Sequence, residues 1–176
     1  MKMKEFTNLR QLKKYFNKED NAYYFYEKNG TCFDVMFNFD VDVGDSCIEA
    51  RNIINSCDIK ASIIRCGYID ACDINTDTLL ADDVNVCSIK ANHIEAYNMI
   101  AHDIKASYIK VNIAIVNNIK AARIDYSDAC IARGDIRYEV VENCRKQGKG
   151  IMHALDGKCI VEKYKKEVKD ESGNNT

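Results

Sequence analysis

From Ile59 to Ala129 the chain carries a large apolar residue at almost every fifth position. Of fifteen such positions, ten are Ile and three are Leu79, Val84 and Met99; Ala114 and Ala129 are the exceptions. Two places later a small residue follows, with Ala at eight sites and Cys66, Thr76, Val86, Val111 and Val116 at others. A period of five fits neither the 3.6 of a helix nor the 2 of a strand. A five-residue unit cannot bury its own apolar side chains, so the units must stack. Alternate residues of short strands point the same way, which puts positions one and three inward and the rest outward. If each pentad forms one side of a square, four pentads close a turn and residue n lies over residue n+20. The expected fold is therefore mainly β, a quadrilateral β-helix running from about 48 to 134. One extra residue at Ile53-Ile54 breaks the count and predicts a bulge.

The flanks read differently. "FTNLRQLKKYF" predicts a short helix capped by Thr7, with Leu9, Leu12 and Phe16 on one face. Phe33, Val35, Phe37, Phe39, Val41 and Val43 alternate with polar residues, and Asn29-Gly30 predicts a type I′ hairpin turn before them. Asp156-Gly157, between "IMHAL" and "KCIVE", predicts a second hairpin. The organisation expected is a helix and hairpin cap (1–47), the repeats (48–134), a C-terminal β-hairpin cap (135–164) and a polar tail (165–176).

The repeats, with their Ile-x-Ala units such as Ile89-Lys90-Ala91, resemble the pentapeptide-repeat family, whose usual unit is Ala-(Asp/Asn)-Leu-x-x. Here the small residue follows the large one instead of preceding it. The opening "LRQLKKYFNKEDNAYYF" and the closing "GKGIMHALDGKCIVE" are similar to those of small Ile-x-Ala proteins of bacteria and phages. The resemblance implies a right-handed solenoid. It also implies a binding role, since pentapeptide-repeat proteins include DNA-mimicking inhibitors of topoisomerase.

Composition narrows this. A formal net charge of -2 argues against general phosphate-backbone binding, so direct nucleic-acid contact is not expected. The chain has no Pro, which suits a continuous ladder. Nine cysteines and a charged opening without a signal-like apolar run point to a cytoplasmic protein with reduced thiols. No apolar run approaches a membrane span.

Candidate chemistry is sparse. Twenty-residue stacking would set Asp82 over His102, Asp83 over Asp103 and Asp73 over His93, pairs able in principle to ligate a cation. They lack a pocket and a nucleophile, and a solvated charge ladder is the plainer reading. Cys57, Cys66, Cys72 and Cys87 crowd one region without Cys-x-x-Cys spacing. "RKQGKG" (145–150) reads as a turn and not a phosphate loop. The expectation is a non-enzymatic protein with no metal or cofactor, contacting a protein partner. Two surfaces are candidates. One is an acidic stretch with Asp70, Asp73, Asp77, Asp82 and Asp83; the other is a set of outward apolar residues, Leu80, Ile100, Ile113 and Ile115, with Ile63 nearby. The sharper expectation is a phage-type inhibitor of a host nucleic-acid-processing enzyme, of the CRISPR nuclease or topoisomerase class. A structural homo-oligomer is the alternative, and a metal-dependent enzyme the third reading.

Overall fold

The computed structural model describes residues 3–55, 57–143 and 150–161. The polar tail and nearly all of the 145–150 turn fall outside the described residues. The chain is mainly β with one short helix. Its elements are β1 (Lys4–Phe6), α1 (Leu9–Leu12), β2 (Phe16–Asn17), β3 (Ala22–Tyr24), β4 (Val35–Phe37), β5 (Val41–Asp42) and β6 (Cys47–Glu49). There follow β7 (Asn52–Asn55), β8 (Ile59–Ala132), β9 (Ile136–Asn143), β10 (Ile151–Ala154) and β11 (Cys159–Val161).

Among the described residues, all eleven strands belong to one sheet, in which only β2 and β3 pair antiparallel. The parallel registers are short-range. Ile53 lies beside Ile69 and Ile48 beside Ile64, while Val41 lies beside Ile59 and Ile119 beside Ile136. The 74 residues of β8 would span roughly 240 Å if straight, at about 3.3 Å each. They return on themselves instead. Ser88 Oγ donates to Asp73 Oδ1 at 2.7 Å, Asn92 Nδ2 to Asp77 at 3.0 Å, and Asn118 Nδ2 to Asp103 at 2.8 Å. Each of these pairs is fifteen residues apart. The expected step of twenty residues is thus corrected to fifteen in β8, so three pentads and not four separate a residue from its neighbour in the ladder.

The period of five sorts the side chains as expected. Ile59, Ile64, Ile69, Ile74, Leu79, Ile94 and Met99 are at most 1% exposed, and Ala61, Ala71, Ala91, Ala96 and Ala101 are buried beside them. The register survives the small residue at Ala114, which is fully buried. It slips by one after Tyr126, where Cys130 and Ala132 take the inward places and Ala129 and Ile131 do not. The extra residue expected at Ile53-Ile54 is absorbed slightly later. There Asn55 accepts from the Cys57 N–H at 3.0 Å and donates to the Asp58 carbonyl at 3.2 Å, an Asx-type turn between β7 and β8.

The ends depart further from expectation. Asn8, not Thr7, caps α1: its side chain accepts from the Gln11 N–H, while the Thr7 N–H donates back to Gln11 Oε1 at 2.8 Å. Leu12 is buried, whereas Leu9 is exposed. Phe6, Tyr15, Phe25, Phe33 and Phe37 pack with ring centroids 5.1–5.9 Å apart and fill the core at the β1 edge of the sheet. At the Asn29-Gly30 turn only Gly30 has positive φ, so the two-residue type I′ geometry is not adopted. The second hairpin is also corrected. β10 pairs in parallel with β8, and β11 with β9, so the closing strands add to the ladder and do not pair with each other. Gly157 permits this, since a Cβ there would lie 2.3 Å from the Gly134 backbone carbon.

One ion pair ties the N-terminal region to the ladder. Asp34 accepts from Arg51 Nε at 2.6 Å, from a second Arg51 nitrogen, and from Asn52 Nδ2 at 2.8 Å. Its side chain is 13% exposed, and the Arg51 guanidinium holds its carboxyl below the ordinary value. A depressed carboxylate value stabilises the fold fully above the unfolded value, about 3.9, and the benefit disappears as pH falls through the folded value. Arg51→Met removes the cause, so acid unfolding, followed by circular dichroism, moves to higher pH; an unchanged acid transition would show that the pair contributes nothing. The inward assignment is tested by Ile104→Asp, which buries an unpaired charge and abolishes cooperative melting. Its exposed neighbour Lys105→Asp changes stability by less than about 0.5 kcal/mol.

Candidate interaction surface

Outward positions flank each inward Ile, and the fifteen-residue step decides which of them become neighbours. Ile100 follows buried Met99 and Ile115 follows buried Ala114, one step later. They are 54% and 50% exposed. With half-buried Ile113, Tyr68, Asp83, Asn85 and Asn98 they line a groove of about 600 Å³. Leu80 and Ile63, expected beside Ile100, are half-buried and are not part of this groove. So three of the four apolar candidates, Ile100, Ile113 and Ile115, come together.

The acidic candidates disperse. Asp83 borders the apolar groove and accepts from Asn98 Nδ2 at 2.8 Å. Asp70 accepts from Tyr68 Oη at 3.2 Å, beside the same groove, and burial followed by this carboxylate raises the Tyr68 phenol above its ordinary value. Asp73 is engaged by Ser88 and lines a different groove. Asp77 takes Asn92 and Ser62, and Asp82 borders a third groove with Glu95 and Tyr97. Five carboxylates consecutive along the chain therefore surround the ladder and do not form one acidic face.

The same step dissolves the proposed cation pairs. Asp83 meets Asn98 and Asp103 meets Asn118, so neither Asp82 over His102 nor Asp83 over Asp103 is formed. His93 packs against Tyr108 at 4.9 Å and lies 3.9 Å from Glu95, away from Asp73. Among the described residues no group of three or more His, Cys, Asp or Glu is arranged to hold a metal ion. Glu95 bonds Lys110 at 2.5 Å, and that lysine holds its carboxyl below the ordinary value. Buried Asp125 is occupied by Tyr108 Oη at 2.7 Å and Arg123 Nε at 2.8 Å. Both carboxylates thus have partners within the fold.

A second groove, about 550 Å³, was not expected from the sequence. It runs along Asp58-Ile59-Lys60, Asp73-Ile74-Asn75, Ser88-Ile89-Lys90 and Asp103-Ile104-Lys105. Acidic or hydroxyl side chains precede the buried Ile and mostly lysines follow it; with Asp40 and Asp42 at one end, the lining carries more carboxylates than lysines. The described residues contain no helix long and apolar enough to cross a membrane. Family models, curated proteins and solved structures all fail to match the chain.

The neighbour assignment is testable by double-mutant cycles. Asp83→Ala with Asn98→Ala couples by roughly 0.5–1 kcal/mol, whereas Asp83→Ala with Asp103→Ala is additive within about 0.3 kcal/mol. Chemical denaturation of the single and double variants reads both, and the opposite pattern restores the twenty-residue step.

Proposed function

We propose that this chain is a non-enzymatic, pentapeptide-repeat-like β-solenoid, three pentads to the turn, that docks a protein partner through the Ile100–Ile113–Ile115 groove. The observation that carries the reading is the pairing of two half-exposed isoleucines, Ile100 and Ile115, one ladder step apart on a rigid parallel sheet. Exposed apolar side chains gathered in one concave place mark a contact surface, whereas scattered ones mean little. Rigidity lowers the ordering cost of association.

The groove also states a preference. Asp83 lines it, and Asp70 accepts a hydrogen bond from Tyr68, another lining residue. The partner that fits presents an aliphatic or aromatic anchor with a lysine or arginine beside it, the carboxylates steering the encounter and the anchor supplying the affinity. A nucleic-acid-processing enzyme of the CRISPR nuclease or topoisomerase class carries such basic surfaces, and inhibition of one by a phage-type protein is the sharper form of the proposal. The acidic residues around the ladder are interrupted by lysines, which favours docking beside a nucleic-acid channel over imitation of the nucleic acid itself.

Self-association is the second reading, favoured by Ile151 and Leu155, each 60% exposed at and just after β10. Light scattering separates the two, because a monomer at working concentration removes the second. For the first, immobilised wild-type chain and an Ile100→Asp, Ile115→Asp variant are offered nuclease-treated lysate of the source cell. Wild type retains a partner that the variant, melting at an unchanged temperature, binds at least about thirty-fold more weakly, as expected for loss of a hot spot. Equal retention by both proteins overturns the groove assignment.

A further inference from the structure

Cys57, Cys72 and Cys87 stand fifteen residues apart, and the fifteen-residue step places them successively in the ladder. The Cys72 N–H donates to the Cys57 carbonyl at 3.1 Å. The residues that follow them fix the same register: the Asp73 N–H donates to Asp58 Oδ1 at 3.3 Å, and Ser88 Oγ donates to Asp73 Oδ1. Cys57 and Cys72 are half-buried and Cys87 is exposed, and all three carry thiols. Neighbours in a parallel ladder lie about 4.8 Å apart. That spacing falls within the usual Cα separation of a disulfide, roughly 4.4–6.8 Å. Cys57 and Cys87, two steps apart at about 10 Å, lie beyond it.

We propose that this column is a redox-modification site: a peroxide-class oxidant joins Cys72 to one adjacent thiol of the ladder, and the third thiol stands ready to exchange with that disulfide. The exposed Cys87 is the entry point. Its thiolate attacks one peroxide oxygen, the O–O bond breaks, and Cys87 becomes a sulfenic acid with loss of hydroxide. The Cys72 sulfur then attacks the Cys87 sulfur and expels the sulfenic oxygen, which leaves as water with the Cys72 proton. Two thiols have been oxidised to one disulfide and the peroxide reduced to two waters. Attack of the Cys57 thiolate on Cys72 releases Cys87 and shifts the crosslink one step along the ladder, with no further change in oxidation state.

The central position suits the resolving role. Burial, followed by the neighbouring Cys87, Asp58, Cys57 and Asp73, holds the Cys72 thiol above its ordinary value, so it is the poorer first nucleophile. The inward thiols behave otherwise: burial pushes Cys66 and Cys130 up to about 12, which leaves them inert at neutral pH.

The test exposes the full chain to hydrogen peroxide, blocks remaining thiols, and cleaves the unfolded product before its aspartates. Mass spectrometry of the fragments should show Cys72 linked to Cys87 or to Cys57. The oxidised protein should melt at a higher temperature, an increase that dithiothreitol reverses. Cys72→Ser, which melts like wild type when reduced, should lose every crosslink within the column although Cys57 and Cys87 remain. Cys57→Ser should retain the Cys72–Cys87 bond. A direct Cys57–Cys87 link, crosslinks only between molecules, or an undiminished yield in Cys72→Ser would each overturn the proposal.

Discussion

A parallel hydrogen-bonded ladder holds each residue about 4.8 Å from its counterpart, and within β8 the counterpart lies only fifteen residues further along the same chain. Everything else in the molecule answers to that spacing. Position one of each pentad has to be filled by a side chain large enough to reach the centre, and position three by one small enough to stand beside it. Ile and Ala meet these demands at most steps. Where Ala114 replaces Ile, the register does not yield, because the ladder on either side is already fixed and the adjacent isoleucines remain outside. An apolar residue excluded from the core by backbone register is a different object from one left outside by chance. Ile113 and Ile115 are of the first kind.

The outward columns obey the same constraint in polar terms. Identical carboxylates stacked at this spacing would repel. Asp73, Asp77, Asp83 and Asp103 meet Ser88, Asn92, Asn98 and Asn118, each of which can donate, and where Asp58 and Asp73 do fall one step apart the Asp73 N–H donates to Asp58. Among the described residues, no buried side-chain nitrogen or oxygen lacks a hydrogen-bond partner. Asp125, a buried carboxylate, is held by a tyrosine and an arginine.

The pentad was legible in the amino-acid sequence because inward residues recur there without a gap for most of its length. The number of pentads per step was not legible from the pentad, which repeats identically for three sides or four. It lay in a longer pattern: Asp58-Ile59-Lys60 recurs as Asp103-Ile104-Lys105, with Ser88-Ile89-Lys90 and Asn118-Ile119-Lys120 as variants. That period of fifteen is set by side-chain complementarity between steps, and only a comparison of outward residues reveals it. The dispersal of the acidic stretch, the loss of the Asp-His pairs and the meeting of Ile100 with Ile115 all follow from that one number. The closing strands were misread for a related reason. Asp156-Gly157 has the composition of a hairpin turn, yet at this place the glycine serves close approach to Gly134.

Segregation of chemistry around the ladder then follows from its geometry. A fifteen-residue step aligns like positions of successive steps, so a bias at one position becomes a stripe. The lysines after the inward Ile make one such stripe, and the cysteines at 57, 72 and 87 another. The isoleucines at 100 and 115 make a third, a short one. Each stripe is rigid, because its side chains hang from a backbone that cannot shift one rung without turning the core outward. Under the proposed reading, a partner meets fixed spacing and a reduced cost of ordering. The same rigidity places the thiols within reach of one neighbour and out of reach of the next. One backbone constraint therefore underlies both the proposed docking groove and the proposed thiol column.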